Sequence, residues 1–357
     1  MLERYGWNQA LRQQFLSHAD EGLEPARVVV QQRGLYEVVA ECGELTATIG
    51  GKLAREADEG GYPVTGDWVA IVARPGEGAA TIHRVLPRSS TFVRRAAGPG
   101  APRGQVVAAN ADLALLVASL NGELNVRRIE RYLAAAWESG ASPVIVLTKA
   151  DDCDDVAARK AEVEAIAFGV PVHAISALSG EGLEDLRARL APGKTAVLLG
   201  SSGVGKSTLV NALAGAERME TRAISVDGQR GRHTTTHREL VLLPSGALIL
   251  DTPGMRELGL WDAGAGVASA FTDVEELMTQ CKFHDCRHRA EPGCAVRAAL
   301  ADGTLDAERW EAYGKLQKEL RFERNKEDWQ ARMESRRDRV RKHKEGRARM
   351  KFKQGEE

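Results

Sequence analysis

Between about Val28 and Arg95 the apolar residues arrive in short runs. These are Val28-Val29-Val30, Tyr36-Glu37-Val38-Val39, Leu45-Thr46-Ala47-Thr48-Ile49, Asp67-Trp68-Val69-Ala70-Ile71-Val72 and Thr81-Ile82-His83-Arg84-Val85. Breaks at Gly50-Gly51 and Gly60-Gly61 divide them and no helical period competes, so the block predicts a small β-barrel. Both an OB-type barrel and an SH3-like barrel fit this pattern. Residues Trp7 to His18 predict a short helix ahead of it. The Gly-, Pro- and Arg-rich stretch Arg94 to Gly104 reads as a linker or loop.

After that stretch the pattern changes to alternating strand and helix. Apolar strands are expected at Leu113 to Val117, Val144 to Leu147, Val172 to Ile175 and Ala196 to Leu199, with helices at Arg127 to Glu138, Val156 to Phe168 and Leu183 to Leu190. Continuous apolar strands joined by helices imply a mostly parallel sheet covered on both faces, so the fold class is α/β. Glu239 to Leu243 and Ala247 to Leu250, joined by Pro244-Ser245-Gly246, read as a hairpin entering the same sheet. From Phe271 onward the strand pattern stops and helical patterns take over. No internal repeat is present.

Composition narrows the class. A chain of 357 residues is long enough for two or three domains, and its net charge of -1 hides an uneven distribution. The segment from Lys315 to Lys353 is dense in Lys and Arg, which suits either a solvated helix or a nucleic-acid-binding arm. The N-terminus has no apolar core followed by a cleavage site, and no apolar run is long enough to span a bilayer, so a soluble cytoplasmic protein is expected. Nothing in the sequence demands a dimer, and a monomer is expected.

Three motifs carry chemistry. Gly200-Ser201-Ser202-Gly203-Val204-Gly205-Lys206-Ser207 is a complete phosphate loop between an apolar strand and the helix-forming run that begins at Thr208. Its glycines let backbone N–H groups curl around phosphate oxygens, Lys206 neutralises the β and γ phosphates, and the Ser207 hydroxyl completes a Mg²⁺ shell. Asp251 ends the run Ala247 to Leu250, where a carboxylate holds Mg²⁺ through water, and Gly254 in Asp251-Thr252-Pro253-Gly254 permits close approach to the γ-phosphate. Thr148-Lys149-Ala150-Asp151 also follows an apolar strand. The Asp151 carboxylate can accept from both N1–H and the exocyclic amine of guanine, a donor pair adenine lacks; the alternative is an N-cap for the next helix. Ser176-Ala177, at the following strand end, falls where a second base contact is needed. One of Thr234, Thr235 and Thr236 is expected to meet Mg²⁺ when nucleotide is bound.

A fourth cluster lies near the C-terminus. Cys281, Cys286, His288 and Cys294, with His284 as a competing imidazole, offer the donors of a closed, structural tetrahedral Zn²⁺ site. Buried core cysteines are the other reading. Cys42 and Cys153 stand apart as isolated residues.

The order of these motifs is unusual, because the guanine motif precedes the phosphate loop and Asp251 follows it. Most GTPases run the other way, which marks a circularly permuted nucleotide-binding domain. With a barrel before it and a Cys/His cluster after it, the chain resembles the RsgA family of ribosome small-subunit-dependent GTPases over nearly its whole length. The Gly231-Arg232-His233-Thr234-Thr235-Thr236 run and Asp251 to Gly254 agree with that family's pattern.

The resemblance implies an OB fold at 1–104 including an N-terminal extension, a permuted GTPase domain at 105–265, and a zinc-binding helical domain with basic tail at 266–357. It selects His288 over His284. It also implies GTP hydrolysis stimulated by the small (30S) ribosomal subunit and its 16S rRNA, in late maturation of that subunit. Met255 stands where many GTPases place a water-orienting glutamine, so slow intrinsic hydrolysis is expected, and the resemblance makes His233 a candidate for the missing polar group. A noncatalytic GTP-binding RNA-binding module is the alternative.

Overall fold

The computed structural model describes residues 1–32, 34–56, 61–95, 104–121, 124–215, 238–251 and 264–322, with a few isolated positions beyond. The motif residues His233, Thr234, Thr235, Thr236, Gly254 and Met255, and most of the basic tail, lie outside the described residues.

An N-capped helix α1 (Gln9–Ala19) leads into strands β1 (Glu24–Gln31), β2 (Tyr36–Ala40) and β3 (Gly43–Ile49). A short helix α2 (Gly51–Glu56) follows, then β4 (Trp68–Arg74) and β5 (Ala79–Val85). Their spatial order is β1-β2-β3-β5-β4, and β4 pairs back to β1, so five strands close on themselves. β3 and β5 run parallel, whereas the other pairs are antiparallel. This closed order, with a helix between β3 and β4, decides for the OB-type barrel over the SH3-like one. Val28, Val38, Ala47, Val69, Ile71 and Ile82 fill its interior and are fully buried.

The stretch read as a linker begins and ends differently from expectation. Strand β6 (Thr91–Arg95) pairs antiparallel with β7 (Gly104–Ala109), so Arg94, Arg95 and Gly104 belong to a ribbon. Gly and Arg content hid this pairing, because the apolar anchors Phe92, Val93, Val106 and Val107 lie at its outer end.

The α/β domain follows as β8 (Leu113–Ser119), α3 (Val126–Ser139), β9 (Ser142–Thr148), α4 (Val156–Glu164), β10 (Val172–Ala174), α5 (Leu183–Arg189), β11 (Thr195–Leu199) and α6 (Lys206–Ala214). The hairpin β12 (Arg238–Leu242) and β13 (Leu248–Asp251) completes it. In space the order is β10-β9-β8-β11-β13-β12, parallel except for β12. Alternate residues point to opposite faces. Leu115, Val117, Ala196 and Leu198 bury with Leu186 of α5 and Leu209 of α6. Ala114, Leu116, Val197 and Leu199 bury with Ile129 and Leu133 of α3.

Barrel and α/β domain are joined by strand pairing and by a buried polar network. Val30 and Gln31 of β1 pair with Glu239 and Arg238 of β12. Arg27, fully buried in the barrel wall, donates to the carbonyls of Tyr5, Gly66 and Asn110 and, at 2.8 Å, to Thr195 Oγ1. Buried Asp67 is held by Arg88 at 2.7 Å. Gly66 (φ 94°) is required here, since a Cβ would lie 2.2 Å from the Ala109 carbonyl oxygen.

Beyond the sheet lie α7 (Gly264–Ala270), α8 (Thr272–Thr279), a Cys/His-bearing loop, α9 (Ala295–Asp302) and a helix at 307–322. α7 packs so closely on α3 that a Cβ on Gly266 would sit 2.1 Å from the Ala134 carbonyl oxygen. Among the described residues no helix is long and apolar enough to cross a membrane.

Candidate nucleotide and metal sites

Because β8, β9, β10, β11 and β13 are parallel, their C-terminal ends share one edge of the sheet. In an open α/β sheet this edge is where a ligand-binding crevice forms. The phosphate loop leaves β11 there. Gly200 has a φ of 158° and a Cβ on it would lie 2.4 Å from the Val117 carbonyl oxygen; Gly203 and Gly205 have φ of 80° and 89°. The loop therefore needs glycine both to turn and to lie against β8. Lys206 starts α6 with its Nζ 2.8 Å and 2.5 Å from the carbonyl oxygens of Gly200 and Ser201, folded over the loop whose anion it is expected to neutralise. Ser207 and Thr208 follow in the first turn of α6.

The guanine motif meets this loop directly. Thr148 is buried, and its hydroxyl donates at 2.6 Å to the Val204 carbonyl, with the Ala118 carbonyl 3.2 Å away. One side chain thereby fastens the ends of β9 and β8 to the phosphate loop. Lys149 has a φ of 60°, turning the chain sharply into a 3-10 turn at Ala150–Asp152, where Asp151 is exposed. Ala150 N–H donates to the Ile175 carbonyl, which brings the next strand end alongside. The cap of α4 is Asp155, which accepts from Ala158 N–H at 2.9 Å, so Asp151 is free of the capping role that the sequence left open.

Ser176 and Ala177 form the neighbouring turn. Ser176 is buried, its Oγ accepts from Ser179 N–H, and its backbone N–H donates to the Glu181 carbonyl. Gly182 closes the turn against the Ala174 carbonyl oxygen, 2.3 Å from where a Cβ would stand. Asp251 ends β13, with Glu239 its partner on β12. The strand ends carrying Asp151, Ser176, the phosphate loop and Asp251 thus line one edge, although the chain visits them in permuted order.

Sequence reading singled out Thr148 but not its contact with the phosphate loop, and it missed Arg128 altogether. The Thr148 hydroxyl bridge depends on three strand ends meeting. Arg128 Nη1, from the first turns of α3, donates to Ser201 Oγ at 2.8 Å across 73 residues of sequence. No local spacing signals either contact.

The second site is the cysteine cluster. The ligand atoms of Cys281, Cys286, His288 and Cys294 all lie within 4.8 Å of one another, and His288 Nδ1 is 3.5 Å from both Cys281 Sγ and Cys294 Sγ. His284 is exposed and outside the group. Three thiols and one imidazole at these separations fit a tetrahedral Zn²⁺ shell. His288 takes a φ of 58° and its ring packs edge-on against Trp310, 5.6 Å between centroids, which fixes Nδ1 toward the sulfurs. Lost hydration and the Cys294 and Cys281 thiols push Cys286 up to about 11, a crowding that a bound dication reverses. Glu291 organises the loop by accepting from the N–H groups of Arg287, Arg289 and Ala290, and its own backbone N–H together with these bonds holds its carboxyl down at about 2.

Comparison with known proteins gives this architecture its relatives. The RsgA GTPase family description matches residues 85–261. The small ribosomal subunit biogenesis GTPase RsgA of Syntrophotalea carbinolica is 47% identical over 328 residues, 89% of each chain. Its namesake from Streptomyces coelicolor is 46% identical over 358 residues, 99% of this chain and 96% of the relative. Among solved structures, YjeQ from Thermotoga maritima superposes with a TM-score of 0.62 at 28% identity, covering 84% of this chain and 98% of its own. YloQ, a circularly permuted GTPase, gives 0.60 at 25%, covering 84% and 95%. Sequence identity along almost the full length and the permuted strand order agree, and the chain belongs to the RsgA family of GTPases.

Proposed function

We propose that this protein binds GTP and hydrolyses it to GDP and phosphate, that the small ribosomal subunit stimulates the reaction, and that it acts in the cytoplasm in late maturation of that subunit. The observation that carries the reading is the Thr148–Val204 hydrogen bond, which ties the turn proposed to recognise guanine to the phosphate loop. The names of the relatives, small ribosomal subunit biogenesis GTPases, support the partner.

In this reading Asp151 receives the base donors, Ser176 and Ala177 bound the base, and residues 200–208 hold the phosphates. Lys206 balances the β and γ phosphates. Ser207 and Asp251, with one of Thr234, Thr235 and Thr236, would hold Mg²⁺, which neutralises charge developing on the phosphates. Zn²⁺ on Cys281, Cys286, His288 and Cys294 would serve as a fold-stabilising clasp. His233 is the candidate for ordering water, and Ala substitution that leaves subunit-stimulated turnover unchanged removes it. The barrel and the zinc region flank the GTPase core and would contact 16S rRNA as parts of a monomer.

Phosphate release from GTP, measured with and without purified small subunits, tests the proposal. Slow release that accelerates with subunits is expected. Tight GTP binding with no release under either condition would favour the alternative, a noncatalytic RNA-binding module with GTP as ligand.

A further inference from the structure

The charged side chains of α3 divide sharply by what they face. Arg127 pairs with Glu308 at 3.2 Å, Arg131 with Glu319 at 2.9 Å, and Glu130 with Arg309 at 2.9 Å, all on the helix at 307–322. Glu138 accepts from Gly266 N–H. Arg128 differs: it is exposed, no carboxylate among the described residues pairs with it, and its guanidinium rests on the Ser201 hydroxyl at the second position of the phosphate loop.

A neutral hydroxyl is a weak partner for a guanidinium, whose planar fork favours carboxylate and phosphate oxygens. Lys206 is turned onto the carbonyls of Gly200 and Ser201, so two cations converge on residues 200 and 201. Like charges gather stably at one point where an anion is due. A nucleoside triphosphate with its Mg²⁺ still carries more negative charge than one lysine neutralises. α3 is also a firm mount, because Glu130–Arg309 and the Gly266 contact pin it to the C-terminal helices.

Resting on the GTPase reading above, we propose that Arg128 is a ligand of the terminal phosphate: it exchanges Ser201 Oγ for a γ-phosphate oxygen when GTP binds and returns to Ser201 when GDP remains. The residue thereby sets the preference for triphosphate over diphosphate.

The test compares wild type with Arg128→Ala and Arg128→Lys in the full-length protein, titrated with GDP and with a non-hydrolysable GTP analogue in the presence of Mg²⁺. Arg128→Ala is expected to lose about tenfold in affinity for the analogue, the loss of one charge-assisted contact, while GDP affinity stays within about twofold. Arg128→Lys, which keeps the charge and loses the fork, is expected to fall between. Retained GDP binding shows that the variant is folded. Equal analogue-to-GDP ratios in wild type and Arg128→Ala would overturn the assignment of Arg128 while leaving the GTPase reading intact. Wild-type protein that binds neither guanine nucleotide would overturn that reading and the inference together.

Discussion

The Glu130 carboxylate and the Arg309 guanidinium meet at 2.9 Å with side-chain exposures of only 4% and 6%, linking α3 of the nucleotide domain to the helix at 307–322. Arg309 also holds Asp273 at 2.7 Å and the Ala270 carbonyl, and lies 4.3 Å from the Phe271 ring centroid. A buried pair of this kind adds little net stability while intact, yet removing one partner strands the other charge. Arg309→Ala should therefore cost about 3–5 kcal/mol, read as a lowered midpoint in urea unfolding.

The same pair gives that variant a pH signature. Lost hydration already pushes Glu130 above its ordinary value of 4.5 against the pull of Arg309, and without the arginine the rise is larger. A carboxyl that binds its proton more tightly folded than unfolded penalises the fold once pH exceeds the raised value, and ceases to do so below 4.5. The stability gap between Arg309→Ala and wild type should consequently narrow as pH falls from 7 toward 5; a constant gap would show that Glu130 stays solvated.

Thr148→Val keeps the shape of the β9 end but leaves the Val204 carbonyl without its hydroxyl donor. Stability should fall by about 1–2 kcal/mol. GTP affinity should drop by roughly tenfold as the phosphate loop loses its tie to the guanine turn. Isothermal titration alongside thermal unfolding separates the two effects.

Asp151→Asn replaces an acceptor with an amide that can also donate. GTP affinity should fall by about 10- to 100-fold, the loss of hydrogen bonds to a charged group. Xanthosine triphosphate, which carries a carbonyl in place of the exocyclic amine, should gain relative to GTP. Competition between the two nucleotides measures the switch, and an unchanged preference would remove Asp151 from base recognition.

Zinc should be present at one ion per chain in purified protein, and Cys294→Ser should lower that content. Removing it frees His288 from its sulfur partners and loosens the ring contact with Trp310, so Trp fluorescence should change. Guanine-nucleotide binding should survive, since none of the four metal-binding residues belongs to the phosphate loop or the guanine motif. Acid should release the metal as well, because bound thiolates compete with protons.

Much of the fold was legible because its signals are local. The run Leu113 to Val117 is apolar at every position and forms a strand buried on both faces, and the phosphate loop is a contiguous motif flanked by its own strand and helix. Thr148, Lys149 and Asp151 sit side by side in sequence and so announce themselves. Where the sequence was silent, the deciding contact spans distant segments. Barrel closure needs β4 to return to β1, and the choice between barrel types rests on that pairing and on β3 lying parallel to β5. Asn110 sits at a φ of 55° and donates to the Gly66 carbonyl, while Arg27 reaches Thr195 across 168 residues; neither partner shows in a local window.

The short ladder between β1 and β12 has a bearing on how the protein can be dissected. β12 has only β13 on its other side, so the barrel supplies the cover for its outer backbone groups at Arg238 and Glu239. A truncated chain starting after the barrel would bare an orphaned sheet margin and strip Thr195 of Arg27, inviting self-association. Excising the first hundred residues is thus an amputation through a shared skeleton, and poor behaviour of such a fragment would speak of that wound before it spoke of any lost partner.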